Sequence, residues 1–263
     1  FDAYNQLSIR TSGSIWLDYN PSNLFWVDKE LVGKADTDFL TLTYKDNEVL
    51  PDTIVKEIEK AKVKAKTSTY WSNWWKVYGL GQTGSLEGVC IPDWKSIDKI
   101  PEEARLIAHG MDFGYSIDPT TLIALYKYDN AYIFDEVLYK KGMLNRDISL
   151  FLQQQNIKGN IIADSAEPKS IAELQGYGHN IYGVTKGRDS VVYGLNLINQ
   201  NEIYITQRSK NLKKELQGYI WAKDKEGNTL QKPTGAHPDC IDAARYVLTD
   251  SLQNPNKGEY YIY

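Results

Sequence analysis

The chain has 263 residues and a formal net charge of −4, with 24% charged and 42% hydrophobic residues. This composition is ordinary for a soluble globular protein with a full core; it argues against a globally basic nucleic-acid binder but leaves local basic patches open. Two cysteines and three histidines argue against a disulfide framework and against a zinc site. No apolar stretch approaches the roughly 20 residues that span a bilayer, so we expect no membrane partner.

The first part of the chain predicts two short strands and a helix. Apolar-rich runs at 13–19 and 36–44 have the pattern of strands. A helix follows, with Asp52 as its expected N-cap and with Ile54, Ile58 and Ala61 on its apolar face. The glycine- and proline-rich stretch after this helix predicts a loop and a linker.

From Arg105 onward the predicted elements follow one another regularly. The expected strands are 106–113, 121–126, 131–138, 160–163, 180–184 and 202–206. The expected helices are one with Asn145 as its N-cap, carrying Ile148, Phe151 and Leu152, and four more at 168–176, 189–199, 211–217 and 238–252. A hairpin is expected around 225–228. Short turns make the first three strands antiparallel neighbours, and the fourth strand can return beside the first. This order predicts an α/β fold with a mixed sheet and helices on both faces.

Four carboxylates occupy distinctive places in this pattern. Two follow strands, in the sequences His-Gly-Met-Asp112-Phe-Gly-Tyr and Ile-Ile-Ala-Asp164-Ser-Ala-Glu-Pro. Two begin the last helix, in Asp239-Cys-Ile-Asp242-Ala-Ala-Arg-Tyr. An isolated aspartate after a strand is usually a turn residue. Adjacent strand ends, however, form the ligand-binding edge of open α/β sheets, and helical residues three apart share a face.

If these four side chains meet, they form an oxygen-rich site suited to Mg²⁺ or Mn²⁺. Such a site predicts a metal-dependent phosphodiesterase. Two like charges on one helical face cost stability unless a cation compensates them. A solvated acidic face remains the alternative for the helix pair.

Together these motifs resemble the large terminase subunit of tailed bacteriophages, over about residues 104–250. The resemblance implies an RNase H-like nuclease domain at 104–252, followed by a C-terminal tail at 253–263. It further implies an endonuclease that cleaves double-stranded phage DNA during packaging with two Mg²⁺ or Mn²⁺ ions. The residues that match its catalytic and metal-binding positions are Asp112, Asp164, Asp239 and Asp242. Related proteins carry His or Asp at the first helix position, so which of the two helix acids is the stronger ligand stays open.

Residues 1–95 resemble the C-terminal part of the terminase ATPase domain, a partial P-loop-type α/β segment, in the sequences Leu17-Asp-Tyr-Asn-Pro and Thr43-Tyr-Lys-Asp-Asn. A phosphate-binding loop of the Walker type is absent from the sequence, so ATP hydrolysis by this chain alone is not expected. The resemblance also implies the small terminase subunit and the portal as partners. It implies the cytoplasm of an infected or prophage-carrying bacterium as the location.

Basic residues outnumber acidic ones between 139 and 232 and offer candidate phosphate contacts. These candidates are Lys186, Arg188, Arg208, Lys210, Lys213 and Lys214. For Lys213 and Lys214 a solvated helix face is the alternative. Candidates for supporting roles at the acidic site are His237, Glu167 and Lys169. No base-reading element is evident, so DNA binding is expected to be independent of sequence.

Two other functions fit parts of this pattern. One is another RNase H-like enzyme of the resolvase or transposase type. The other is a non-catalytic module that docks DNA or the portal, with the four acids in structural roles. Binding of Mn²⁺ would separate these classes, because a purely structural module should bind no ion at the acids.

Overall fold

A computed structural model of the chain forms two compact units. Unit 1 comprises Phe1–Glu87 and Trp221–Gln231, and unit 2 comprises Gly88–Ile220 and Lys232–Tyr263. Within these units, the residues that the structure describes are 2–21, 26–84, 88–187, 189–235 and 238–254. The predicted Arg188 and His237, and residues 255–263 of the predicted tail, lie outside them.

Unit 1 is helical over most of its regular structure. Its elements before residue 88 are α1 (Asp2–Arg10), α2 (Trp26–Glu30), a 3₁₀ turn (Tyr44–Asp46), α3 (Asp52–Lys64), α4 (Thr69–Trp74) and a π-helical turn (Trp75–Gly79). The predicted helix is therefore confirmed as α3. Asp52 is its first residue rather than its N-cap, a position that Pro51 occupies without a side-chain cap. The Ser68 hydroxyl accepts a hydrogen bond from the Trp71 N–H and so fixes the start of α4.

The two strands predicted in unit 1 are wrong. In the described part of the chain, residues 13–19 and 36–43 have no strand structure and no strand partner. Their apolar side chains are largely exposed, as at Trp16 (92%) and Leu40 (75%). A strand forms only when a neighbouring strand accepts and donates its backbone hydrogen bonds, and the local pattern of side chains cannot supply that neighbour.

Unit 2 is built on a seven-stranded sheet. Its strands are β1 (Lys95–Ile97), β2 (Arg105–Asp112), β3 (Thr120–Tyr128), β4 (Ala131–Lys140), β5 (Ile161–Ala163), β6 (Ile181–Gly183) and β7 (Glu202–Thr206). They lie in the order β1-β7-β4-β3-β2-β5-β6. Six of the seven were predicted. The exception is β1, a short strand in the expected linker, which exists through its parallel pairing with β7.

The direction of the strands brings their ends together. Strand β3 is antiparallel to β2 and β4, and all other neighbours are parallel. The predicted return of the fourth strand beside the first is confirmed by the register Met111↔Ala163 between β2 and β5. Consequently β2, β5 and β6 end at the same edge of the sheet, which we call the C-terminal edge. Separately, β8 (Tyr219–Lys223) and β9 (Thr229–Gly235) form the predicted hairpin, whose residues Trp221–Gln231 belong to unit 1.

Helices cover both faces of the sheet, as predicted. They are α5 (Asn145–Gln154), α6 (Pro168–Gly176), α7 (Ser190–Gln200), α8 (Lys210–Gly218) and α9 (Asp239–Gln253). On one face, Met111 packs in a buried cluster with Leu152 of α5 and Leu174 of α6. On the other, Ile241 of α9 and residues of α7 and α8 meet Phe134 of the sheet. None of the helices in the described ranges is both long and apolar enough for a membrane span.

Candidate active site

Gly110 allows α9 to lie directly on β2. A Cβ atom at Gly110 would stand 1.9 Å from the carbonyl oxygen of Ala243 and 3.1 Å from the Cβ of Val247. Only a residue without a side chain can therefore occupy this position while the helix keeps its place. Since side chains alternate along a strand, Asp112 points to the same face as Gly110, toward α9.

The four predicted acids come together at the C-terminal edge. Asp112 ends β2, Asp164 directly follows the adjacent parallel strand β5, and Asp239 and Asp242 lie in the first turn of α9. Burial raises the pKa of Asp112 to about 8, and the negative charges of Asp242, Asp239 and Asp164 add to this rise. We call these four side chains the acid cluster.

Tyr246 gives an independent indication of the same convergence. Its hydroxyl donates to Asp164 Oδ2 at 3.2 Å. Burial raises the pKa of this phenol, and the charges of Asp242, Asp112 and Asp164 raise it further. The residue is 2% exposed, so the tyrosine forms part of the floor of the cluster.

Asp164 is held by three donors. Its Oδ1 accepts from Lys186 Nζ at 2.5 Å and from the Ala166 N–H at 2.8 Å, and its Oδ2 accepts from Tyr246. Burial raises the pKa of Asp164, but these hydrogen bonds and the lysine charge outweigh it and lower the pKa below its ordinary value. Asp164 is therefore a fixed, charged carboxylate.

The two acids of α9 have different surroundings. Asp242 accepts from Arg245 Nη2 at 2.9 Å, and the Arg245 side chain is only 5% exposed. Arg245 also donates to the Ser190 carbonyl at 3.3 Å. The cation that the like-charged pair requires is thus one helical turn away, on α9 itself. Asp239 is 7% exposed, and its backbone carbonyl accepts from the Thr121 hydroxyl at 3.0 Å.

The acid cluster suits a hard divalent cation. All four donors are carboxylates, and Mg²⁺ and Mn²⁺ prefer oxygen ligands. A bound cation would offset the negative charges of Asp242, Asp239 and Asp164, which raise the pKa of Asp112. In the described part of the chain, no three His, Cys, Asp or Glu side chains are already grouped closely enough to hold a metal. Lys186 and Arg245 engage two of the four carboxylates, Asp164 and Asp242.

The predicted supporting residues take peripheral places. Glu167 is the residue before α6, and its backbone N–H donates to the Asp164 carbonyl at 3.3 Å. Lys169 is exposed in the first turn of the same helix. His237 lies outside the described residues. A supporting role for any of the three stays a prediction.

The predicted phosphate contacts separate into two groups. Lys186 points into the acid cluster through its bond to Asp164. Arg208 instead donates to Asp135, a carboxylate with no exposed surface, so its guanidinium has a structural partner. Lys213 donates to the Ser96 hydroxyl at 2.7 Å and to Gln207.

The remaining lysines of this set lie on α8. Lys210 and Lys214 are exposed there, while Arg188 is outside the described residues. Phosphate binding by the whole set stays a prediction.

Several important residues were not assigned a role from the sequence. Arg245 could have been found, because a cation three residues after Asp242 lies on the same helical face. Glu215 could not: its carboxylate reaches from α8 to accept the Ile241 N–H at 3.0 Å, near the start of α9. This contact between helices stabilises the end of α9 that carries the acids.

A family model described as "Terminase RNAseH like domain" matches residues 112–250, more than half of the chain. The chain belongs to this terminase family. The match contains all four acids of the cluster. The resolvase or transposase alternative is thereby replaced by a specific family.

Known terminases are similar to this chain in sequence and in structure. The terminase large subunit of Bacillus phage SPP1 is 28% identical over 248 residues, which cover 89% of this chain and 58% of the relative. The chain thus spans little more than half the length of that relative. The crystal structure of the SPP1 large terminase nuclease domain with bound Mn has a TM-score of 0.54 at 26% identity and covers 62% of this chain and 99% of its own.

A longer structure has a similar fold at lower identity. The large terminase of a thermophilic bacteriophage has a TM-score of 0.69 at 21% identity, over 95% of this chain and 66% of that protein. With the SPP1 domain and the family match, it confirms the predicted α/β fold with an RNase H-like mixed sheet.

Proposed function

We propose that the chain is the endonuclease part of a terminase large subunit, which cleaves double-stranded phage DNA during genome packaging and depends on Mg²⁺ or Mn²⁺. The observation that carries the proposal is the convergence of four carboxylates at the C-terminal edge, which helps to raise the pKa of Asp112 to about 8. The manganese in the SPP1 nuclease domain supports it.

Asp112, Asp164, Asp239 and Asp242 would hold two divalent ions. When bound, the ions would supply positive charge on both sides of the scissile phosphate. Asp112 ends β2, which pairs with β5 on one side and lies directly under α9, so we assign it the ligand role shared by both ions. Asp239 and Asp242, both in the first turn of α9, would complete the ligand set.

The protein's other residues hold these carboxylates in place. Tyr246 and the Ala166 N–H orient Asp164, and Arg245 orients Asp242. Gly110 keeps the start of α9 close to the strand that carries Asp112. The reaction requires such fixed carboxylates, because small displacements of catalytic groups reduce rates strongly.

Basic residues near the C-terminal edge would bind the DNA backbone. Lys186 lies at the acid cluster itself. Lys210 and Lys214 lie on α8, which follows β7, three strand positions from β2. At about 4.8 Å per strand, this is roughly 14 Å across the sheet. These lysines would therefore contact phosphates flanking the one that is cut, independently of base sequence.

Two further parts of the proposal concern the longer protein. Residues 1–95 would be the C-terminal part of an ATPase domain, and 104–252 the nuclease domain. In the host cytoplasm, the full subunit would work with the small terminase subunit and the portal. These assignments rest on the likeness to large subunits that extend beyond this chain.

Plasmid cleavage with Mg²⁺, Mn²⁺ or EDTA tests the activity. We expect cleavage with either metal, none in EDTA, and none by Asp112→Asn. Asp129→Asn is the matched control: Asp129 is exposed in the β3–β4 turn, at the opposite edge of the sheet, and its φ of 48° is one that asparagine also tolerates. Metal-dependent cleavage that survives Asp112→Asn would refute the proposed site.

Calorimetry with Mn²⁺ tests the non-catalytic alternative. A DNA- or portal-docking module with structural acids should bind no ion at the cluster. We expect the parent chain and Asp129→Asn to bind Mn²⁺ equally, and Asp112→Asn to bind it at least about tenfold more weakly, since it loses a charged ligand.

A further inference from the structure

Lys186 places a positive charge inside the acid cluster. It lies in residues 184–187, which have no regular structure after β6. Its Nζ is 2.5 Å from Asp164 Oδ1 and 3.4 Å from the Tyr246 hydroxyl, and it stands 4.8 Å from the centre of the Tyr246 ring. The lysine thus contacts both a proposed metal ligand and the floor of the site.

The two cations of the cluster differ in how firmly they are held. Arg245 is 5% exposed and bonded to both Asp242 and the Ser190 carbonyl. The Lys186 side chain is 30% exposed and ends a flexible four-carbon stem. Arg245 therefore has the features of a permanent counterion, whereas the Lys186 ammonium lies on an irregular segment and is partly exposed, so it can leave without displacing a helix.

Asp164 can keep its orientation when the ammonium leaves. The Ala166 N–H still binds Oδ1, and the Tyr246 hydroxyl still binds Oδ2. A divalent cation on Asp164 would repel an ammonium on the same oxygen, since like charges a few ångströms apart repel strongly in a partly buried site. A lysine ammonium displaced in this way is a suitable ligand for a phosphate oxygen.

We propose that Lys186 is an exchangeable counterion, which neutralises Asp164 in the absence of metal, releases it when a divalent cation binds, and then binds a phosphate of the DNA. This inference rests on the proposed function. It adds that metal binding and DNA binding are coupled through one side chain. In the absence of metal, the ammonium thereby offsets the negative charge of Asp164, and it does not prevent a divalent cation from binding there later.

The first test measures Mn²⁺ binding by calorimetry in the parent, Lys186→Met and Lys158→Met. Methionine keeps an apolar stem and removes the charge. Lys158 is exposed and precedes β5, at the opposite edge of the sheet from Asp164, so it is the matched control. We expect Lys186→Met to bind Mn²⁺ about tenfold more tightly, because its competitor is gone, and Lys158→Met to stay within about twofold of the parent.

An unchanged Mn²⁺ affinity in Lys186→Met, beside a parent that binds Mn²⁺, would overturn the exchange and leave the proposed function intact. A parent that binds no Mn²⁺ would overturn both. Circular dichroism of each variant verifies folding, and Lys186→Gln provides a second neutral replacement if the methionine variant does not fold.

The second test measures DNA affinity by fluorescence anisotropy of a labelled duplex, in EDTA and in Ca²⁺. We expect Lys186→Met to lose at least about fivefold in affinity with Ca²⁺ and less than about twofold in EDTA. In Lys186→Met, the negative slope of log affinity against log salt concentration should become shallower by about 0.9, because one phosphate contact is lost. This change should occur with Ca²⁺ and not in EDTA. Equal losses under both conditions would contradict the exchange.

Discussion

Replacing Gly110 by alanine tests whether the acid cluster depends on the contact between α9 and β2. The added Cβ would meet the Ala243 carbonyl oxygen at 1.9 Å, whereas ordinary contact begins at 3.4 Å. The obstacle is backbone, so the helix would have to retreat by about 1.5 Å along this contact to restore van der Waals separation. Ala243 and Val247 have no exposed surface here. Overpacking typically costs about 1–3 kcal/mol, and an obstacle made of backbone puts this site near the upper end, at about 3 kcal/mol.

We expect two measurable effects of Gly110→Ala. Native-state hydrogen exchange should show α9 and β2 amides opening with a free energy about 3 kcal/mol lower than in the parent. This measurement reports unit 2 without requiring two-state unfolding of the whole chain. Calorimetry should show Mn²⁺ binding weakened at least about tenfold, because Asp239 and Asp242 move away from Asp112.

Gly176→Ala is the matched control for this change. Gly176 ends α6, has no atom within 4 Å of the position that a Cβ would take, and does not have a positive φ. We expect its stability to stay the same or rise by up to about 1 kcal/mol, since alanine restricts the unfolded chain. If Gly110→Ala kept both the parent's opening free energies within about 0.5 kcal/mol and its Mn²⁺ affinity, the argument from close packing would be refuted.

Three other predictions concern residues around the cluster, and the stability changes are first measured without metal. Burial raises the pKa of Glu215 from 4.5 to about 8, so the folded state retains a proton that the unfolded state loses, and stability falls as pH rises between these values. Glu215→Gln should therefore have the same free energy of unfolding in urea as the parent near pH 4.5, and a free energy about 4 kcal/mol higher at about pH 8; a constant difference would contradict this. Arg245→Met should destabilise α9 by about 3 kcal/mol in hydrogen exchange, because it leaves Asp242 without its buried partner, and saturating Mn²⁺ should restore part of the loss. Thr121→Val should cost about 1 kcal/mol in the same measurement, because the Asp239 carbonyl loses a buried donor; no change would show that another group replaces it.

The regular part of unit 2 could be predicted because its signals are local. Alternating and continuous apolar runs defined β2 to β7, and the short turns between the first three strands gave their antiparallel order. The same reasoning failed where pairing is non-local. Residues 13–19 have a strand-like pattern without a strand partner, whereas β1 forms in an unpromising segment because β7 lies beside it.

The acids of the cluster could be identified, but their partners could not. Strand ends and helical spacing were enough to expect Asp112, Asp164 and the helix pair at one place. The DNA contact expected of Lys186 stays a prediction, but its bond to Asp164 was not foreseen. Arg208 received the same prediction and is paired with Asp135 on β4. Pairing between side chains of different elements depends on how those elements pack, which no local pattern encodes.

The sequence by itself determined the elements of unit 2, the identity of the four acids and the resemblance to terminases, because each depends on residue types at fixed short spacings. The tertiary structure decided how the acids are compensated. It placed α9 directly on Gly110, paired Asp242 with a permanent cation and Asp164 with a replaceable one, and left Asp112 as the acid whose pKa burial raises to about 8. The physical reason is that burial and the electric field at a carboxylate arise from groups distant in sequence, which only the packed fold brings within a few ångströms.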